Sequence, residues 1–239
     1  MKYEARKFAY KHPTFGRSKT AKASEPFKNS IYYYWWEFLR RNEAYRKSCM
    51  NNGSGNFTRI YKDFGDVFNT DFKSWWNFDS RGVELFSEKP LPQFKLINQE
   101  SILLDSSDVI YLQIPLQLPK RYLSHEFQNI LNKHHHGRRG VRANQFSTAQ
   151  YPVIGHVDLL ALDKCLMIHD YKKMYPSKTL WEIGNDCKIL KQSSLIKNPN
   201  TDLDFVAKKT VLANTTKRLL SKAEAIIKNV GKGIFPKAN

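Results

Sequence analysis

Six side chains able to grip or read a polyanion crowd into the stretch 214–222: Asn214, Thr215, Lys217, Arg218, Ser221 and Lys222. Asn and Arg make paired contacts to base edges, Lys and Arg neutralise phosphates, and Ser and Thr hydroxyls bond to either. Placed at 100° per residue over 211–228, VLANTTKRLLSKAEAIIK, Asn214, Lys217, Arg218, Ser221 and Lys222 share one side of a helix. Leu212, Leu219, Leu220, Ala223, Ile226 and Ile227 share the other. Such a helix docks by its apolar stripe and offers a polar, cationic face to something else. The same division also describes an ordinary surface helix whose lysines serve solubility.

Two further clusters carry similar chemistry. The run HHHGRRGVR holds Arg138, Arg139 and Arg142 between Gly137 and Gly140, a pliable basic loop suited to phosphates. Arg40 and Arg41 stand at the edge of an aromatic helix, where guanidinium groups bind carboxylates or phosphates. His134, His135 and His136 are adjacent, with no i, i+4 histidine pair and no cysteine close in sequence, which argues against a zinc site. Motifs of catalysis are scarce: no Gly-rich phosphate loop, no G-x-S-x-G elbow and no H-E-x-x-H occurs. Asp170 with Lys172, and Asp186 with Lys188, have the residue types of a metal-dependent nuclease but fall within expected helices. A metal-free endonuclease built on the histidine run is the other enzymatic option. The expectation is a binding protein without cofactor or metal.

These residues need elements to hold them. Residues 1–29 mix Lys, Arg, Ser and Thr with single aromatics in no sustained period, the pattern of a basic arm ordered by its partner. Ser30 is the expected N-cap of a single helix over 31–47, with Ile31, Tyr34, Trp35, Phe38 and Tyr45 on one face. After the connector Asn51–Gly55 come a helix near 59–68 and an aromatic segment, 71–78, holding Trp75 and Trp76. Stacking of exposed bases is one use of such a pair; core packing is the better expectation among so many aromatics. Arg81-Gly82 is expected to turn the chain.

Residues 93–118 shift to short segments rich in β-branched residues, 94–97, 101–104 and 109–118, which predict a small antiparallel sheet with Pro115 on an edge. Pro119 opens a helix that runs into the histidines. Asp158 is the expected N-cap of a central helix over 159–175, ended by Pro176. Thr179 with Glu182 predicts a capping box opening a short helix over 180–189, in which Gly184 permits close approach of a neighbour. A loop over 191–203 leads to the cationic helix, and Phe235 tethers the basic tail. The fold class expected is α+β and mostly helical, with a small sheet and a C-terminal three-helix unit of helix-turn-helix type. Its divisions are a basic arm (1–29), an α+β domain (30–150) and a nucleic-acid-binding unit (151–239).

Charge supports a polyanionic partner. The chain of 239 residues carries 39 basic against 22 acidic side chains, a formal net charge of +17. Residues 1–28 contribute +6, residues 119–142 contribute +5 and residues 206–239 contribute +7, so the remainder is close to neutral. No segment pairs bulky apolar anchors with basic flanks, and no apolar run approaches the roughly 20 residues of a membrane span, so a membrane partner is not expected. Cys49, Cys165 and Cys187 are odd in number and scattered, as in a cytoplasmic protein whose thiols pack in the core. No heptad marks a dimer seam.

Two resemblances add to this. The phrase YYYWWEFLRRNEAYR resembles the opening signature of the proteobacterial transcriptional-regulator-like domain, with Trp36, Glu37, Phe38, Leu39, Arg40, Arg41, Asn42 and Tyr45 at the signature positions. TLWEIGN followed by a loop and VLANTTKRLLSKAEAIIKNVGKGIFP resembles the C-terminal region of uncharacterised proteins encoded on bacterial plasmids and integrative elements. Asn214 to Leu220 also looks like the recognition helix of helix-turn-helix regulators. It departs from that motif in spacing: about 20 residues separate it from the preceding helix, where the motif has a turn of 3–4. The resemblances imply a DNA-binding regulatory protein of a mobile element, favouring duplex DNA. The alternative is a non-enzymatic subunit holding RNA or an RNA–DNA hybrid, with protein partners, inside a CRISPR-type effector or a transposition assembly.

Overall fold

The computed structural model describes residues 7–16, 25–88, 110–134, 147–153, 157–197 and 204–238. The chain forms two compact units, one made of residues 1–90 together with 144–239 and the other of residues 91–143. These units do not follow the expected divisions, because the first and last thirds of the chain share one core. The described part is mostly helical, with one two-stranded antiparallel sheet.

The core of the larger unit is built on α1 (Ile31–Arg40), whose side chains are buried nearly all round, from Ile31 to Leu39. Trp35 is fully buried, with Phe86, Tyr151, Phe64 and Phe235 ringing it at centroid distances of 5.1 to 6.2 Å. The helix expected to run on to residue 47 stops at Arg41. Asn42 takes extended angles (φ −81°, ψ 102°) and its Oδ1 accepts from the Tyr45 backbone N–H at 2.9 Å, starting α2 (Glu43–Met50). An Asn satisfies an orphan amide at a helix start better than it fits a helix interior, so one expected helix becomes two. Ser30 stands at the N-cap position of α1, but its Oγ donates to the Lys11 carbonyl at 2.9 Å instead of capping.

That bond ties the expected basic arm to the core. Residues 7–16 belong to the fold: β1 (Lys7–Phe8) pairs antiparallel with β2 (Ser87–Glu88), and Phe8 lies against Tyr32 and Trp76. The aromatics in this segment outweigh its lysines as a folding signal, and residues 1–6 and 17–24 lie outside the described part. Among the described residues, the small sheet is found here. Residues 110–118 form no strand, and 93–109 lie outside the described residues. Local β propensity registers side-chain shape, whereas a strand also needs a ladder partner.

Between the strands lie α3 (Thr58–Phe64), α4 (Phe72–Asn77) and α5 (Arg81–Phe86). Asp71 caps α4 by accepting from Lys73 and Ser74. Trp75 and Trp76 are buried, and Trp75 Nε1 donates to the Phe64 carbonyl at 2.7 Å, so they are core residues and not a stacking platform. The turn expected at Arg81-Gly82 lies two residues earlier, where Asp79 and Ser80 take left-handed angles (φ 47° and 58°). Gly82 sits inside α5, where a Cβ would fall 2.1 Å from the Trp76 ring. In the smaller unit, α6 (Lys120–His134) follows Pro119, whose carbonyl accepts from the Leu123 amide, and it has no buried residue.

The C-terminal helices are α7 (Leu159–Met174), α8 (Leu180–Asp186) and α9 (Phe205–Val230). Both expected caps are present: Asp158 accepts from Ala161 at 3.1 Å, and Thr179 and Glu182 form the capping box. α8 ends before residue 189, as Lys188 turns left-handed (φ 49°). α9 is longer than expected, and its 26 residues span about 39 Å. Its first half packs on a small cluster of Ile168, Ile183, Ile189, Leu195, Ile196 and Leu212; its second half, through Ala223, Ile226 and Val230, enters the α1 core. The chain after α8 is itself core: Asn185 exchanges two hydrogen bonds with the Ile196 backbone, at 2.7 and 3.0 Å. Phe235, as expected, is fully buried, against Trp35 and Phe38.

Candidate nucleic-acid interface

α9 is an amphipathic helix held from behind. Leu212, Thr216, Ala223, Ile226 and Val230 form its buried line. Gly184 of α8 lets the two helices close up, since a Cβ there would meet Thr216 Oγ1 at 2.3 Å and the Leu212 carbonyl at 3.3 Å. The opposite line is open: Asn214, Lys217, Arg218 and Ser221 are all exposed, and none is hydrogen-bonded or ion-paired to another described residue. Thr215 and Lys222 are half-buried on one shoulder of that line. The line continues through Glu224 to Lys228 at one end and to Val211, 51% exposed, at the other. From Asn214 to Ser221 the rise is about 10 Å, close to the ~12 Å width of a B-DNA major groove.

Not every cation of the helix is free. The Lys209 ammonium lies over the Trp181 and Phe205 rings at 5.8 and 5.7 Å, bracing α9 against α8. The geometry also departs from a helix-turn-helix: α8 and α9 are joined by residues 187–204, whose Ile189, Leu195 and Ile196 are buried. Where the motif has a tight turn, residues 189–196 pack on the fold.

The other expected cations are placed differently. Arg41 is a structural clamp: its Nε and Nη2 donate to Asp170 of α7 at 2.8 and 2.5 Å, and its Nη1 donates to the Glu37 carboxylate and carbonyl. Four of its N–H donors are spent on two carboxylates and a carbonyl, so its contacts in the structure are with the fold itself. Arg40 is half-exposed, with its guanidinium 4.5 Å over the Trp36 ring and Nη1 3.4 Å from Glu37. Arg138, Arg139, Arg142, His135 and His136 lie outside the described residues. In α6, Lys120, Arg121, Lys133 and His134 are exposed. Phe78, two residues beyond Trp76, is 58% exposed and carries the Arg81 guanidinium 4.7 Å over its ring.

One group of polar residues joins members of separate sequence motifs in a way that neither motif displays. Asp170 Oδ1 also meets His169 Nδ1 at 3.2 Å, and His169 is only 8% exposed. Burial acts to raise the Asp170 pKa, but hydrogen bonds from Arg41 and His169 outweigh it and hold the carboxyl well below the ordinary carboxylate range. Glu37, Arg41, Asp170 and His169 thus form one chain of charge-assisted contacts across α1 and α7. The neighbouring residue numbers 169 and 170 carry no signal in sequence, because their partner lies 129 residues away. Asp186 is committed elsewhere, to Lys178 and the Tyr171 hydroxyl at 2.5 and 2.9 Å. Among the described residues no three His, Cys, Asp or Glu side chains gather as a metal site, and no helix is long and apolar enough to cross a membrane. Burial pushes the Cys165 and Cys49 thiols up to about 11, leaving them as neutral packing groups. Comparison with protein-family models, curated proteins and solved structures finds no match for this chain.

Proposed function

We propose that the chain is a non-enzymatic nucleic-acid-binding protein that grips duplex DNA through the open face of α9. One observation carries this reading: Asn214, Lys217, Arg218 and Ser221 are exposed along a single line of a helix whose opposite line is locked into two core clusters. A rigid helix with unspent donors at that spacing loses little entropy when it binds. Val211, one turn before Asn214, is placed for a thymine methyl. A regulatory role in a bacterial mobile element rests on the resemblances of the aromatic signature and the C-terminal region. The spacing between α8 and α9 favours docking against phosphates over a helix-turn-helix approach.

The test is fluorescence anisotropy with duplex DNA, single-stranded DNA and structured RNA over a salt series. Lys217, Arg218, Lys222 and Lys228 supply up to four phosphate contacts, so log K should fall with log salt with a slope of about −3 to −4 on duplex. Salt-independent affinity, or no duplex binding, would overturn the reading. The RNA reading draws on the exposed Phe78–Arg81 stack. Tighter binding to RNA, lost in Phe78→Ala, would put it first.

A further inference from the structure

A cleft of about 410 Å3 opens between α2, α7 and the C-terminal half of α9. This volume is at the lower end of small-molecule sites, with room for one ring and its substituents. Ala44, Phe57 and Ile227 give it apolar surface, and Glu224, Lys228 and Lys232 supply its charges. Asn42 also lines it, but that side chain is spent: Oδ1 accepts from Tyr45 and Nδ2 donates to the Ile227 carbonyl at 2.8 Å. Asn42 therefore shapes the cleft more than it recognises an occupant.

His169 is the informative lining residue. It is more than nine-tenths buried, and Nδ1 is committed to Asp170, which Arg41 in turn holds with two hydrogen bonds. An ionised carboxylate only accepts, so Nδ1 donates to it, and Nε2 is left without a partner among the described residues. A buried histidine oriented through three residues, with one ring nitrogen unspent, is more construction than packing requires. The two lysines and one glutamate leave a net charge of +1, which matches a monoanion better than a phosphate dianion.

We propose that this cleft binds a small organic monoanion, a carboxylic acid carrying one ring and a hydroxyl or N–H donor. The carboxylate lies between Lys228 and Lys232, the ring packs on Phe57 and Ile227, and the donor bonds His169 Nε2. The site stands whether or not α9 binds nucleic acid, because its recognition is read on the protein alone.

The experiment is calorimetric titration of the full chain with 4-hydroxybenzoate, 3-hydroxybenzoate, benzoate and the neutral 4-hydroxybenzamide. A hydroxybenzoate should bind several-fold tighter than benzoate and about tenfold tighter than the neutral amide. Lys232→Ala, at an exposed position, should weaken the acids about tenfold and leave the amide unchanged. His169→Gln should remove the preference for the hydroxyl while benzoate still binds, a pattern that misfolding would not produce. Binding of none of the acids, equal binding of the amide, or unaltered affinity in Lys232→Ala would overturn the proposal.

Discussion

Asn214, Lys217 and Arg218 share one exposed line of α9, yet each asks something different of a duplex. A lysine ammonium is a point charge that finds any phosphate, whereas the amide of Asn and the fork of Arg match particular base edges. Lys217→Ala should therefore weaken every DNA sequence by a similar factor and lower the salt slope by about 1. Asn214→Ala and Arg218→Ala should instead cost ~1–3 kcal/mol at individual base pairs, seen as relaxed preference in a randomised-site selection. Uniform losses from all three would leave a helix that grips without reading. Arg41 shows the opposite fate of a basic residue. It was legible as a carboxylate or phosphate ligand from its place beside aromatics, but its partner Asp170 lies too far along the chain for any local pattern to expose. Asp170 is held below its ordinary range, so its contribution to stability is present above the unfolded value, about 4, and disappears as pH falls through the folded one. Below about pH 4 the wild type should lose melting temperature more steeply than Asp170→Asn, with the curves converging in strong acid. The carboxylate is 44% exposed, so water screens part of the effect. Parallel acid limbs for the two proteins would show that the Arg41–Asp170 contact is dispensable.

Elements announced by local chemistry could be read directly. The Thr179–Glu182 capping box, the Asp158 cap, the stop at Pro176 and the open face of α9 each depend on residues within one or two turns. Elements set by distant partners could not. Residues 7–8 form a strand only because residues 87–88 lie beside them, and the break at Asn42 is reinforced by its bond to the Ile227 carbonyl of α9. Gly184 lies between these cases: the close approach was legible, but its partner was not. Alanine there would gain about 1 kcal/mol of helix propensity, while its Cβ would press on Thr216 Oγ1 at 2.3 Å and Ile189 Cδ1 at 3.1 Å. Overpacking of this kind costs about 1–3 kcal/mol, and the backbone at Leu212 cannot retreat as a side-chain tip can. Gly184→Ala should lower stability by up to about 2 kcal/mol in urea unfolding. Thr216→Ala removes a buried hydroxyl that has no hydrogen-bond partner among the described residues, so the double variant should recover part of that loss. Simple additivity would mean that the helices separate without repacking.

At the scale of the molecule, the sequence suggested an arm, a domain and a binding unit in series, and the structure interleaves them. The boundary near residue 150 was plausible in sequence because a new run of helices begins there. What composition cannot display is that the last helix completes the first core. Ile226, Val230 and Phe235 are each fully buried in the cluster built on α1, and Asn42 ties that end of α9 to α2. Each large side chain is worth about 1.5–3 kcal/mol on burial, so these three contribute roughly 5–9 kcal/mol, comparable to the whole stability of a small domain. A fragment of residues 151–239 should therefore keep some helical signal by circular dichroism but melt without a cooperative transition. In residues 7–239 the larger unit should melt as one transition, while removal of residues 7–16 as well should lower its midpoint, since Phe8, Tyr10 and Phe15 pack on the same core. Duplex binding should follow folding: the fragment, although it carries every exposed donor of α9, should bind more weakly than residues 7–239 at equal salt. A cooperative transition in the fragment, with undiminished affinity, would restore the separate binding unit that the charge pattern alone implied.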